Sequence, residues 1–462
     1  MKKENTAAGN RLLFGTDGIR GVVNRPPMTA ETALSLGRAL TVLLREEKAL
    51  ARRPKIVIGK DTRLSGDMLL RSVAAGVMSQ GGDVFEADTL PTPGLANLTS
   101  STRADAGIVV SASHNPYPDN GIKIFDGQGY KLPDEIEEKL ERLMEDRKLL
   151  DGSLPSPEGV GRAFPVRDAV GRYVVSLKSA FPKKLTLEGM TIVLDCANGA
   201  AYRSAPAAFE ELGAKVVLLS ASPDGFNINL NCGALNPELC RAAVLETKAD
   251  LGVALDGDAD RAIFIDQKGR VVDGDRIMYL NSLHLKEKGA LQKNAVAATV
   301  MSNMALDIAL KRKGIKLFRT KVGDRYVAEC LRREGLNFGG EQSGHLIFLD
   351  HATTGDGALA ALQTLAIMKE SGRSLASLAE EIQPFPQVLL NVRAEDPARA
   401  ERHPEVKKML KDMETRLKGR GRVLLRPSGT EPVVRVMVEG EDKKEIEEMA
   451  RECAALVAAS LK

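Results

Sequence analysis

The chain has 462 residues, 43% of them hydrophobic, with 65 basic against 62 acidic side chains and a formal charge of +3; this is too long for one hydrophobic core and fits a soluble multidomain protein. The charges are mixed along the chain, which argues against nucleic acid or a membrane surface as partner. Five cysteines, an odd number without a C-x-x-C pair, argue against a zinc site and a disulfide framework, and with neither an apolar leader nor a run of roughly eighteen apolar residues the expected location is the cytoplasm.

Three segments follow one plan: an apolar strand, a small-residue turn, an amphipathic helix of about fifteen residues, a glycine and a further apolar strand, each a βαβ unit. They start at Lys55-Ile-Val-Ile-Gly, Thr191-Ile-Val-Leu-Asp and Ala295-Val-Ala-Ala-Thr, and their helices are predicted to end near Gly81, Gly213 and Gly314. Downstream of each, one more strand opens into a loop of functional side chains. In the first the loop holds Ser113-His114-Asn115-Pro116, and Ser113 is a candidate nucleophile that needs a base, a metal or a cation to assist it. In the second it holds Asp256, Asp258 and Asp260 followed by Arg261. Three carboxylates at alternate positions repel one another unless a cation sits among them, and a hard, oxygen-seeking ion, Mg²⁺ before Ca²⁺, suits them. An EF-hand is excluded, because Arg261 and Gln267 stand where its loop requires Gly and Glu. In the third it holds Gly340-Glu-Gln-Ser-Gly-His345. Ala-Asp-x-Gly recurs at Ala104 and Ala249, which sets Ser113 level with Asp258.

Pro155–Val160 and Gln383–Pro386 read as linkers. After Pro386 the pattern becomes strand, helix over Pro404 to Leu417, two strands and a final helix through Lys462, a small α+β domain. It carries Arg426-Pro-Ser428-Gly429-Thr430-Glu431, a glycine turn with a guanidinium and two hydroxyls that suits a phosphate dianion. The expected fold is α/β: three related α/β domains with mixed sheets (1–160, 161–270, 271–383) plus a smaller C-terminal α+β domain (384–462), arranged around a central cleft.

With these loops read, the chain resembles the α-D-phosphohexomutases. The matching motifs are Phe14-Gly-Thr-Asp-Gly-Ile-Arg20-Gly21, Ser111-Ala-Ser113-His-Asn-Pro, Asp119-Asn-Gly-Ile-Lys123, Asp195-Cys-Ala-Asn-Gly, Asp256-Gly-Asp-Ala-Asp-Arg261, Gly340-Glu-Gln-Ser-Gly-His345, Thr353-Thr-Gly-Asp-Gly357 and Arg426-Pro-Ser-Gly-Thr-Glu-Pro432. The resemblance implies that Ser113 carries a phosphoryl group and that one Mg²⁺ is held by Asp256, Asp258, Asp260 and a phosphoserine oxygen. Arg20 and Arg261 would add positive charge there, and Lys123 and His345 would move protons to and from sugar hydroxyls. A lysine can do so only if its surroundings lower its pKa. Glu341, Ser343 and His345 would contact the sugar, and Arg426, Ser428, Gly429, Thr430 and Arg435 the phosphate that is not reacting. The implied reaction is a two-step phosphoryl exchange through a 1,6-bisphosphate. Gln342 resembles the branch acting on glucosamine phosphate; the alternative substrates are the neutral glucose and mannose phosphates. No nucleic-acid or membrane partner is expected, and the chain would be a monomer or homodimer. Ala259 departs from the commoner glycine, a change that is tolerated unless the backbone needs φ > 0. A phosphatase with Asp256 as nucleophile is the rival chemistry, but it leaves Ser113 and the Arg426 loop without a role.

Overall fold

A computed structural model describes residues 13–15, 17–48, 52–394, 397–427 and 433–460. The central strands Ala106–Val110, Leu251–Leu255 and Ala295–Thr299 are buried along their whole length, as expected of strands covered on both faces by helices.

Three sheets repeat one arrangement. In the first, the order is Phe14–Gly15, Gly18–Val22, Asp119–Asp126, Ala106–Val110, Lys55–Lys60, Asp83–Thr89, Ala163–Pro165. Its last four strands run parallel, and Asp119–Asp126 returns antiparallel to Ala106–Val110. The second sheet places Leu251–Leu255 between Thr191–Asp195, parallel, and Ala262–Asp266, antiparallel; Lys215–Leu219 adds a parallel edge. The third does the same with Phe338–Gly340 between Ala295–Thr299 and Leu346–Phe348, with Lys316–Thr320 at the edge. In all three the functional loop is the connection from the third strand of the repeat into its antiparallel partner. Ser113, Asp258 and Ser343 each stand three residues past the strand ends Val110, Leu255 and Gly340.

The helices end before Gly81, Gly213 and Gly314, all at positive φ, where an L side chain would strain the backbone. The first helix, Gly66–Ser79, has 14 residues, but Ser204–Glu211 has 8 and Met304–Arg312 has 9, shorter than expected. In the second repeat the missing turns are the loop after Asp195, where Ala197 and Asn198 are left-handed and Ala200 N–H donates to Gly257 O at 2.8 Å. That stretch of chain holds the carboxylate loop instead of forming helix. The strand Ala163–Pro165 extends the first sheet beyond the Pro155–Val160 linker.

The chain divides into two compact units, residues 1–301 with 315–379 and residues 302–314 with 380–462. The smaller unit has an antiparallel sheet in the order Gln387–Arg393, Val433–Gly440, Gly421–Pro427, with helices Pro404–Leu417 and Lys443–Ser460 packed on it around Val434, Val436, Ile446 and Met449. The helix Met304–Arg312 belongs to this unit: the buried Glu439 carboxylate accepts from Met304 N–H at 2.8 Å and from Arg422 Nε at 2.6 Å.

Candidate active site

Ser113 is 1% exposed and has a φ of +53°, an uncommon conformation for a residue with a side chain. Its Oγ donates to Asp256 Oδ2 at 2.6 Å and lies 3.3 Å from His114 Nδ1. Asp256, Asp258 and Asp260 are buried, with one oxygen from each inside a 4.8 Å span.

Lys123, on the strand paired with that of Ser113, reaches Asp258 Oδ2 at 2.8 Å, Asp17 Oδ2 at 3.0 Å and Asp260 Oδ2 at 3.4 Å. Thr92 Oγ1 donates to the same Asp258 oxygen at 2.6 Å. The opposite oxygens, Asp258 Oδ1 and Asp260 Oδ1, are buried and accept no hydrogen bond among the described residues. Burial, then Asp260 and Asp258, push the Asp256 carboxyl well above the usual range. Burial would also raise Asp260, but Lys123, His345 and Arg261 outweigh it and hold that carboxyl well below the range. An all-carboxylate donor set with unshared, desolvated oxygens fits a hard divalent cation.

Arg20, which pairs with Asp17, and Arg261 bring positive charge close to His114, the neighbour of Ser113. The Nε of each is buried without a hydrogen-bond partner among the described residues. Together with burial, which is the larger cause, Arg261 and Arg20 depress His114 to about 4, so its imidazole is neutral near pH 7. Two guanidiniums in this neighbourhood favour an anion there.

Burial would lower the Lys123 pKa, but Asp17, Asp258 and Asp260 outweigh it and hold the ammonium well above the usual lysine range. Proton acceptance by Lys123 therefore requires a cation to take up the carboxylate charge first. His345 is 1% exposed, with Nδ1 3.6 Å from Asp260 Oδ1 and Nε2 3.5 Å from Asp324 Oδ2. Burial works against its imidazolium, and Asp260 and Asp324 more than offset that and raise its pKa. Gly355 N–H donates to Nε2 at 3.0 Å, a contact only an unprotonated nitrogen can accept, so the geometry places the ring proton on Nδ1, facing Asp260.

The loop at Glu341 closes on itself: Glu341 N–H donates to His345 O at 2.9 Å, and Ser343 Oγ to Glu341 Oε2 at 3.2 Å. Ser343 is exposed. Gln342 turns towards the start of helix Gly274–Glu287, where its amide meets Asp273 Oδ2 at 3.4 Å. In the smaller unit Arg426 and Arg435 stand directly opposite each other in the antiparallel register; Ser428, Gly429 and Thr430 lie outside the described residues.

Sequence reasoning did not single out Asp17, Thr92, Lys131 or Asp324. Lys131 pairs with both Asp17 and Asp324, and with Asp260, His345 and Lys123 they form a closed ring of alternating acidic and basic side chains. Asp17 lies inside the Phe14–Gly21 motif, but Lys131 and Asp324 carry no local signal, since their pairing spans 193 residues.

Three copies of one sheet plan that carry a strand-end serine hydrogen-bonded to a buried cluster of three carboxylates suit a phosphoryl-transfer class of protein. Models of phosphoglucomutase/phosphomannomutase α/β/α domain I, domain II, domain III and C-terminal domain match residues 11–151, 171–269, 273–385 and 389–456. The chain belongs to this phosphoglucomutase/phosphomannomutase family, the α-D-phosphohexomutases, and is an isomerase. Among named relatives, phosphoglucosamine mutase of Citrifermentans bemidjiense is 55% identical over 451 residues, covering 98% of each chain. That of Geobacter metallireducens is 56% identical over 447 residues, 97% of this chain and 98% of the relative. Solved structures share the fold. A phosphoglucomutase/phosphomannomutase family protein from Burkholderia thailandensis aligns with a TM-score of 0.79 at 23% identity, over 96% of this chain and 97% of the other. Aspergillus fumigatus N-acetylphosphoglucosamine mutase, in complex with GlcNAc-6P and magnesium, aligns with 0.69 at 18%, over 98% and 97%. Among the described residues no helix is long and apolar enough to cross a membrane, and all five cysteines are free and buried.

Proposed function

We propose that the chain interconverts glucosamine 6-phosphate and glucosamine 1-phosphate through a phosphoserine enzyme, feeding UDP-N-acetylglucosamine and cell-wall synthesis. The observation that carries this reading is Ser113 Oγ at 2.6 Å from a buried carboxylate triad, two of whose oxygens accept no hydrogen bond among the described residues, in a chain similar over nearly its full length to phosphoglucosamine mutases. In the charged enzyme the C1 hydroxyl oxygen attacks the phosphorus on Ser113, the bond from phosphorus to Oγ breaks and the hydroxyl proton passes to a base. The resulting 1,6-bisphosphate turns around, Ser113 Oγ takes the C6 phosphoryl group and the freed C6 oxygen is protonated. Lys123 and His345 are the proposed proton carriers, while Arg20 and Arg261 hold the transferring group. Mg²⁺ held by Asp256, Asp258, Asp260 and a phosphoserine oxygen would neutralise charge on that group. Glu341 and Ser343 would bind sugar hydroxyls, and Arg426, Ser428, Gly429, Thr430 and Arg435 the second phosphate.

We place the domain boundaries at residues 160, 270 and 383, with the strand Ala163–Pro165 reaching back to the first sheet across the first of them, and expect a cytoplasmic monomer or homodimer. The test is a panel of glucosamine, glucose, mannose and N-acetylglucosamine phosphates under identical conditions. The highest kcat/KM is expected for glucosamine phosphate. A higher value for glucose or mannose phosphate would overturn the amino-sugar preference and leave the phosphohexomutase mechanism standing.

A further inference from the structure

The backbone of Ser113 is held from both sides. Its N–H donates to Ser111 Oγ at 2.9 Å, and Ser111 Oγ donates to Asp61 Oδ2 at 2.7 Å. Its carbonyl oxygen accepts from Arg63 Nη2 at 3.0 Å and from Asn229 Nδ2 at 2.9 Å. The Arg63 side chain is fully buried and also reaches Asn115 O at 2.8 Å, Pro116 O and Asp119 O at 2.5 and 3.1 Å, and Asp61 Oδ2 at 2.9 Å. Asn229, from the second domain, bonds Asn115 O at 3.1 Å as well. Gly257 of the carboxylate loop lies so close that a Cβ there would sit 2.6 Å from the same Ser113 carbonyl oxygen.

A left-handed serine is strained and persists only where its surroundings over-determine it. Here the surroundings are a guanidinium rooted in the first domain and an amide rooted in the second, meeting on one oxygen. We infer that Arg63 and Asn229 are positioning residues for phosphoryl transfer: through the Ser113 carbonyl they hold Oγ in register with the Asp256 loop. This rests on Ser113 being the phosphoryl carrier proposed above.

The experiment compares Asn229→Ala, Asn229→Asp and Arg63→Lys with the parent. One readout is the rate at which Ser113 acquires phosphate from glucose 1,6-bisphosphate, followed by mass spectrometry, and the other is kcat and KM on glucosamine phosphate. Misplacement on the ångström scale is expected to slow charging and lower kcat about 10- to 100-fold, with KM changed less than about twofold. Asn229→Asp keeps the shape but turns an acceptor towards two carbonyls, so it should fall at least as far as Asn229→Ala; a residue that merely fills space would not show this. Asn229 is half-buried in a loop, so its variants report even if Arg63→Lys fails to fold. Charging and kcat within twofold of the parent in both Asn229 variants, or a raised KM at unchanged kcat, would overturn the inference. A parent that charges Ser113 but does not turn over glucosamine phosphate, with slowed charging in the variants, would sink the substrate assignment and uphold the positioning role. A parent that never charges Ser113 would overturn both.

Discussion

Ser113 has the attributes of a covalent carrier: a hydroxyl 2.6 Å from a carboxylate, a strained backbone and two guanidiniums nearby. Ser113→Ala removes the covalent step itself, so turnover should fall by several orders of magnitude; peptide mapping of the parent should find phosphate on this residue, and near-normal turnover in the variant would refute the assignment. Asp258→Asn keeps an oxygen but removes a charge beside Lys123 and Thr92, so Mg²⁺ affinity measured by titration calorimetry should drop by at least about tenfold while the fold persists. Full activity after exhaustive chelation would end the metal hypothesis, and covalent phosphate on Asp256 would favour a phosphatase. Ala259 answers a question the sequence left open. Its φ is +57° and it is fully buried, so the methyl does sit in the conformation that glycine tolerates best. Ala259→Gly should raise stability by up to about 1 kcal/mol. A lowered melting temperature would show that the methyl's packing outweighs the strain.

Helix Gly357–Ser371 starts at Asp356, whose buried carboxylate accepts from Leu359 N–H and from Tyr173 Oη, both at 2.9 Å. Burial raises its pKa to about 6 despite those bonds. Because the folded protein then binds a proton more tightly than the unfolded chain, this group's stabilising effect is full below about pH 4 and is lost as pH rises to about 6. Asp356→Asn keeps a capping oxygen without the charge. In chelator, thermal unfolding of the variant should lose that slope, and at pH 7 it should be as stable as the parent or more so by up to about 3 kcal/mol; a clear fall at pH 7 would show that the ionised cap is favourable. Asp356 stands in the Thr353–Gly357 motif, yet nothing local tells that Tyr173 meets it 183 residues away. The same limit separates what is legible in the sequence from what is not. The strands and their loops can be read because apolar runs and turn residues act locally, and so the matched positions of Ser113 and Asp258 are visible in the residue pattern alone. The length of the second helix is not, because the chain after Asp195 is committed to a contact with Gly257 that no window of sequence contains. Nor are Asn229 and Asp324, whose contacts form only once domains dock, or Arg63 and Lys131, whose partners include residues 50 and 114 positions away in the chain.

A bisphosphate that must present either end to one serine asks the whole molecule for two phosphate sites of different kinds, one that reacts and one that only holds. The first is proposed for the three-sheet unit, where the ring of Asp17, Lys131, Asp324, His345, Asp260 and Lys123 joins elements from all three sheets. The second is proposed for the C-terminal domain. Arg426 and Arg435 stand directly opposite each other in an antiparallel pair, and two guanidiniums in one place can give a phosphate dianion charge-assisted hydrogen bonds. Such a grip acts on substrate and on intermediate, so its loss has a signature that loss of a reacting group lacks. Arg426→Ala should raise KM for the monophosphate about 10-fold or more, and free 1,6-bisphosphate should accumulate in solution during turnover, because the intermediate escapes before its second transfer. Charging of Ser113 by saturating bisphosphate should be largely retained, which separates this defect from that of Ser113→Ala. Unchanged KM with no released bisphosphate would mean that Arg426 does not bind the second phosphate.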